Sequence, residues 1–247
     1  MFSNIKTFVK KEAEDYKYLL RAVPSLVVTL FILSVVCMNF LANKELFNTS
    51  FLALDCGFTL SWLSFVFMDM LCKRFGAKAA TKISILAIFI NLCVTGIFKL
   101  LSLTPGMWGE YYTTGEIAVN DALNVTFGGT WYVVLASATA MAISSVVNSV
   151  VNITVAGISH DDGSYGKFAL RSFVSTGIAQ FVDNLTFACL CSKIFFGWTW
   201  TQVFLCSLTG AIAELLCEVI LSPVGYKVSK DWEKEGVGNE YLARVKA

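Results

Sequence analysis

The sequence predicts an all-α polytopic membrane protein: one domain, residues 1–247, forming a six-transmembrane-helix bundle. Three observations predict it. Hydrophobic residues make up 56% of the chain and charged residues 15%, against roughly 45–50% and about 25% in soluble domains. The mean hydropathy is +0.65. Several apolar runs approach the ~20 residues that cross a bilayer as a helix, and the connections between them alternate between basic-rich and basic-poor.

The opening segment, residues 1–22, reads MFSNIKTFVKKEAEDYKYLLRA. It lacks the apolar core and small-residue cleavage site of a secretory signal and reads as a cytoplasmic N-terminal segment. The first span runs over 24–41, with Pro24 placed where its missing N–H costs nothing. The second covers about 51–70 and the third 83–103. Residues 104–130 contain Pro105, Gly106, Gly115, Gly128 and Gly129, so they read as an external loop or re-entrant cap. The fourth, fifth and sixth spans cover about 131–156, 168–195 and 201–223, and 224–247 is a cytoplasmic tail.

Orientation follows from lysine and arginine. Lys6, Lys10, Lys11, Lys17 and Arg21 precede span one; Lys73, Arg74, Lys78 and Lys82 join spans two and three; Lys167 and Arg171 join four and five; Lys227, Lys230 and Lys234 follow span six. The other connections hold only Lys44 and Lys193. Both termini of this multi-pass protein are expected to be cytoplasmic. Trp108, Trp131, Trp198 and Trp200 fall on the opposite side as an aromatic belt. An acid in SFVFMDM and another in AQFVDNL, Asp69 and Asp183, hint at a 3+3 inverted repeat.

Several function classes drop out. A net charge of +1 leaves no basic surface for nucleic acid. The eight cysteines lie mostly in apolar runs without CxxC spacing and read as small hydrophobes. His160 is the single histidine, no HExxH or GxSxG occurs and no P-loop is present, so neither an enzyme, a cofactor nor a metal site is expected. The bilayer and a small molecule are the expected partners, and a homodimer is compatible with the sequence.

Polar residues inside the spans carry the functional signal. A charge at the centre of a membrane helix costs roughly 2.5–3.5 kcal/mol on insertion scales, so it is kept for a role. Residues three or four apart share a helix face. Ser172, Thr176, Gln180, Asp183 and Asn184 make one stripe; Ser207, Glu214, Glu218 and Ser222 make a second; Ser137, Ser144, Asn148 and Asn152 make a third. Asp183 lies 15 residues past Phe168 and Glu214 13 residues past Thr201, which puts both at about 20 Å depth along oppositely directed helices.

A purely structural role is the competing reading, but interhelical polar contacts in membranes average only about 0.6 kcal/mol. No cation sits at the acids' depth, which leaves a proton, a bound cation or a ligand rich in N–H donors. Asp69 has a bland account in an i,i+4 pair with Lys73. Asp55 reads as a solvated or helix-capping residue. Trp62 and Phe65 form either a stacking wall for a flat ligand or ordinary packing.

NFLANK at Asn39–Lys44, GFTLSWLSFVFMDMLCKRFGAKAA from Gly57, RSFVSTGIAQFVDNLTF from Arg171 and the acidic final span at Glu214–Glu218 together resemble the queuosine precursor transporter family, of the vitamin uptake transporter type. The resemblance covers most of Asn39–Tyr226. It implies a six-span inner-membrane protein that takes up 7-deazaguanine compounds, queuine or its cyano and aminomethyl precursors, for tRNA modification. On it, Asn39, Asp69, Arg171, Gln180 and Asp183 fall on family-like polar positions, while Glu214 and Glu218 depart where some members carry a basic residue.

The chemistry agrees. A guanine-like edge presents adjacent N–H donors that a carboxylate can accept bidentately. The expectation is that Asp183 or Glu214 reads the base edge, Glu218 carries a proton or the substrate's positive charge, and Asn148 and Gln180 complete the polar contacts. The alternative is a substrate-binding subunit of an energy-coupling-factor vitamin importer, served by a separate ATPase.

Overall fold

The computed structural model describes the backbone of residues 2–158 and 165–246, and their side chains apart from 2–5, 7–9, 149, 152–153, 155–158, 165–172, 222 and 246. Helix α1 (Phe2–Ala22) meets α2 (Ser25–Leu41) at Pro24, and the two axes diverge by 108°. The proline forces the break, because its ring excludes helical backbone from the residue before it. A short antiparallel hairpin, β1 (Glu45–Asn48) and β2 (Ala53–Asp55), then leads into α3 (Phe58–Phe75). Gly76 turns the chain at φ +87°, a left-handed conformation that favours glycine, and α4 (Ala77–Leu101) follows.

The short α5 (Gly109–Thr114) precedes α6 (Ile117–Ile158). Helix α7 (Tyr165–Phe187) continues through one π-helical turn (Ala188–Ser192) into α8 (Lys193–Phe196). Helix α9 (Trp200–Lys234) opens with a capping box, in which the Gln202 amide donates to Thr199 Oγ1 and the Thr199 amide to Gln202 Oε1. The last element is α10 (Asn239–Lys246).

Among the described residues four helices are long and apolar enough to cross a membrane: Ala77–Leu101, Ile117–Asn148, Phe173–Phe196 and Trp200–Leu221; the bent pair α1–α2 makes a fifth if it counts as one. Helix α2 alone has 17 residues, and α3 carries Asp69, Lys73 and Arg74, so neither has the length and composition of a span by itself. Large apolar side chains lie on the outside: Leu26, Phe89, Leu100 and Ile220 are 63–70% exposed, a distribution suited to lipid rather than water. The chain is an all-α membrane protein.

Boundaries depart from the sequence reading in three places. Residues 51–55 of the expected second span form the hairpin, and the helix starts only at Phe58. Helix α6 begins at Ile117 instead of about 131, so much of the expected external loop is helical. Gly128, read as a breaker, lies against Lys99 of α4 and Ser102 just past its end, where a side chain would collide. Beside it a ring stack joins Trp108, Phe127 and Phe98 at 5.1–5.3 Å between centroids. Tertiary packing outweighs the glycine's weak helix propensity there.

Pro223, the expected end of the sixth span, sits inside α9, which runs on to Lys234. The extension is held by apolar packing of Trp232 with Phe75, Leu71 and Tyr241, and by Arg74 Nη2 donating to the Val237 carbonyl at 2.6 Å. The expected tail is therefore largely helical. Trp198 does not join an aromatic belt: it is 1% exposed, and its indole N–H donates to Glu45 Oε1. With Gln202 Nε2 donating to Asn48 Oδ1 and the Thr49 carbonyl at 2.8 and 2.7 Å, this fastens the hairpin to the start of α9.

Candidate substrate cavity

A cavity of about 320 Å³ opens between α2, α3, α4, α6, α7 and α9, with the end of β2 and the π-helical turn also on its wall. The polar stripes from α6, α7 and α9 meet there, because spacing by three or four residues keeps each stripe on one inward face. Asp183 comes from α7, and Ser144 Oγ from α6 donates to its Oδ1 at 2.8 Å. Glu214 comes from α9 and is 3% exposed. Asn184 Nδ2 donates to its Oε2 at 2.9 Å, and the Ser61 hydroxyl of α3 is a further partner.

Asn184 reaches across because residue 210 is glycine: a Cβ there would sit 3.0 Å from the Asn184 side chain. Gln180, 2% exposed, donates through Nε2 to Glu218 at 3.4 Å, and among the described residues its Oε1 has no partner. Asn148 Oδ1 is likewise buried and without a partner among the described residues. Buried polar atoms are nearly always satisfied, so two orphan acceptors on one cavity wall point to a ligand that donates. Asn39, 2% exposed, also lines the cavity and donates to the Val35 carbonyl at 3.0 Å.

Of the other expected site residues, Phe65 is on the wall and Trp62 is not; the Trp62 indole donates to the Thr59 carbonyl at 2.9 Å. Glu218 lies outside the cavity, beside Asp69 in a narrow gap with Val66, Leu221 and Gly225. Asp69 itself is paired with Lys73 at 2.6 Å, the bland account of it. The side chains of Arg171, Ser172, Asn152 and Ser222, and His160 altogether, lie outside the described residues. Among the described residues, no lysine, arginine or histidine lines the cavity, whereas Asp55, Asp183 and Glu214 do.

A family model described as "Putative vitamin uptake transporter" matches residues 55–228. The chain belongs to the vitamin uptake transporter family. The match takes in every acid of the cavity, from Asp55 through Asp183 to Glu214, and leaves out the wall contributed by α2. No curated protein and no solved structure matches the chain.

Within this vitamin uptake transporter fold, Asp55 meets one of its two sequence expectations and not the other. It does cap α3, accepting from the Gly57 and Phe58 amides at 2.9 and 3.3 Å. It is not solvated: at 7% exposure it stands on the cavity wall. The signal was weak because the hairpin reads as the start of an apolar span. Burial pushes its carboxyl up from 3.8 to about 6, against the two backbone amides and the Ser192 hydroxyl, which pull it down.

That shift gives a testable pH dependence. The folded state holds the proton more tightly than the unfolded chain, so Asp55's contribution to stability falls as pH rises from about 4 to about 6 and is flat above. Thermal unfolding of detergent-solubilised protein across pH 4–7 is expected to show this downward slope, and Asp55→Asn, which keeps a capping oxygen, to flatten it. An identical slope in the variant rules out Asp55 as its origin.

Proposed function

We propose that the chain is a secondary carrier that imports a 7-deazaguanine, queuine or a queuosine precursor, across the inner membrane. The observation that carries this reading is the pair of buried, unpartnered carbonyl oxygens on Asn148 and Gln180 beside Asp183 and Glu214, in a cavity with no basic side chain among the described residues. A deazaguanine offers N–H donors on its pyrimidine edge and on the five-membered ring. The carboxylates and amide carbonyls are acceptors for them, and Asn39 and the wall serines are partners for the base carbonyl. Membership of the vitamin uptake transporter family supports uptake as the activity.

Size and charge narrow the ligand. At about 320 Å³ the cavity is at the small end of small-molecule sites, which run roughly 300–1,000 Å³. It suits a bicyclic base. A phosphorylated nucleotide would meet three acids and, among the described residues, no cation, so the free base is the form carried. In this reading α2, α3, α4, α6, α7 and α9 are the six spans, three on each side of an inverted repeat, with both termini cytoplasmic and the site alternately exposed to either side.

Proteoliposomes containing only this chain are expected to take up radiolabelled queuine, or its cyano or aminomethyl precursor, saturably and above empty vesicles. Uptake equal to that of empty vesicles for all three overturns the carrier reading. Saturable binding without uptake by the purified chain would instead favour the binding subunit of an ATPase-driven importer.

A further inference from the structure

We infer that Asp55 is a specificity-determining residue of the proposed deazaguanine site: it receives a cationic substituent on the bound base, so the preferred cargo is the primary-amine form. This rests on the reading above and deepens it. The positive-charge role expected for Glu218 has no place in the cavity, since that residue lies in the separate gap beside Asp69. Asp55 does stand on the wall, buried, with Oδ1 taken by the Gly57 and Phe58 amides and the Ser192 hydroxyl a further donor to its carboxylate. Among the described residues it has no cationic partner.

Capping alone does not explain an acid there. Asparagine or serine caps a helix about as well as aspartate without the penalty of burying a carboxylate. Position supplies the rest. The orphan Oε1 of Gln180, with Asp183 and Glu214, marks where the donor edge of the base is read. Asp55 caps α3 just ahead of its first residue, Phe58, and Glu214 is bonded to Ser61 one turn further on, so the two acids face the cavity from neighbouring levels of α3. A one-carbon amine arm on a bicyclic base carries its cation from the edge read at Glu214 toward Asp55. A primary amine is a cation at neutral pH, much like lysine, and a charge-assisted hydrogen bond to a buried carboxylate is worth about twice a neutral one.

The test compares the aminomethyl deazaguanine with its cyano analogue, close in size but uncharged, by equilibrium binding to the full chain in nanodiscs. The wild-type protein is expected to prefer the amine at least tenfold. Asp55→Asn should lower that preference ratio at least tenfold, whereas Gln180→Leu should weaken both compounds and leave the ratio intact. A wild-type preference for the cyano compound, or a ratio unmoved by Asp55→Asn in protein that elutes and melts as folded, overturns the inference while leaving the carrier reading standing. Binding of neither compound overturns the inference, and binding of neither these nor queuine removes the deazaguanine reading with it.

Discussion

Glu214→Gln is expected to lower uptake by about 10²-fold while leaving the protein as stable as before or slightly more so. Glu214 is 3% exposed and held by Asn184 and Ser61. A glutamine of the same size can present its oxygen to Asn184, but its amide then offers a donor to the cavity where an acceptor stood. Donor facing donor forfeits a charge-assisted hydrogen bond, worth about 1.5–3 kcal/mol. Stability moves the other way, since a neutral amide costs less than a carboxylate to bury.

The divergence between the two readouts separates a ligand site from structural glue. If Glu214 merely ties α7 to α9, the variant lowers the thermal midpoint in detergent and leaves binding per folded molecule unchanged. Uptake by folded Glu214→Gln protein at the wild-type rate would remove Glu214 from the site.

Gly57→Val is expected to be the most destabilising single change near the cavity mouth. Gly57 precedes α3, and a Cβ there would stand 2.7 Å from the Met38 carbonyl, 2.9 Å from Asp55 Oδ1 and 3.1 Å from Ala42 Cβ. The first obstacle is backbone in the last turn of α2, already accepting from the Ala42 amide, so no rotamer change relieves it. Overpacking of this kind costs typically 1–3 kcal/mol, and a branched side chain against a fixed carbonyl belongs at or above about 3 kcal/mol. Thermal unfolding in detergent is the check, with Gly57→Ala falling between the variant and wild type. A wild-type midpoint for Gly57→Val would show that the α2–hairpin–α3 corner can open without cost.

Much of the site was legible because a helix in lipid writes its inward face as a stripe. Gln180, Asp183 and Asn184 on α7, Ser144 and Asn148 on α6, and Glu214 on α9 were identified by spacing alone, and the structure gathers them at one cavity. Spacing gives direction around a helix, however, and not where a cavity ends along it. Glu218 shares its face with Glu214, yet one turn is about 5.4 Å, and that carries it past the cavity into the gap beside Asp69.

Asp55 failed for the opposite reason. It belongs to no stripe, and its place on the wall depends on a two-stranded hairpin fastened by Trp198 and Gln202, more than 140 residues away. Gly128 misled in the same manner: local propensity argued for a loop, while the close approach of α4 argues for a helix and wins.

By itself, then, the sequence determined that this chain lives in a membrane as helices, which family it belongs to and which polar residues turn inward, because hydrophobicity and helical periodicity are local properties of neighbouring residues. Only the tertiary structure decided which acids share a cavity, that Asp55 replaces Glu218 among them, and that two amide oxygens on its wall stay without partners among the described residues. Those are distances between segments far apart in the chain, set by packing and by long-range hydrogen bonds that no single stretch encodes.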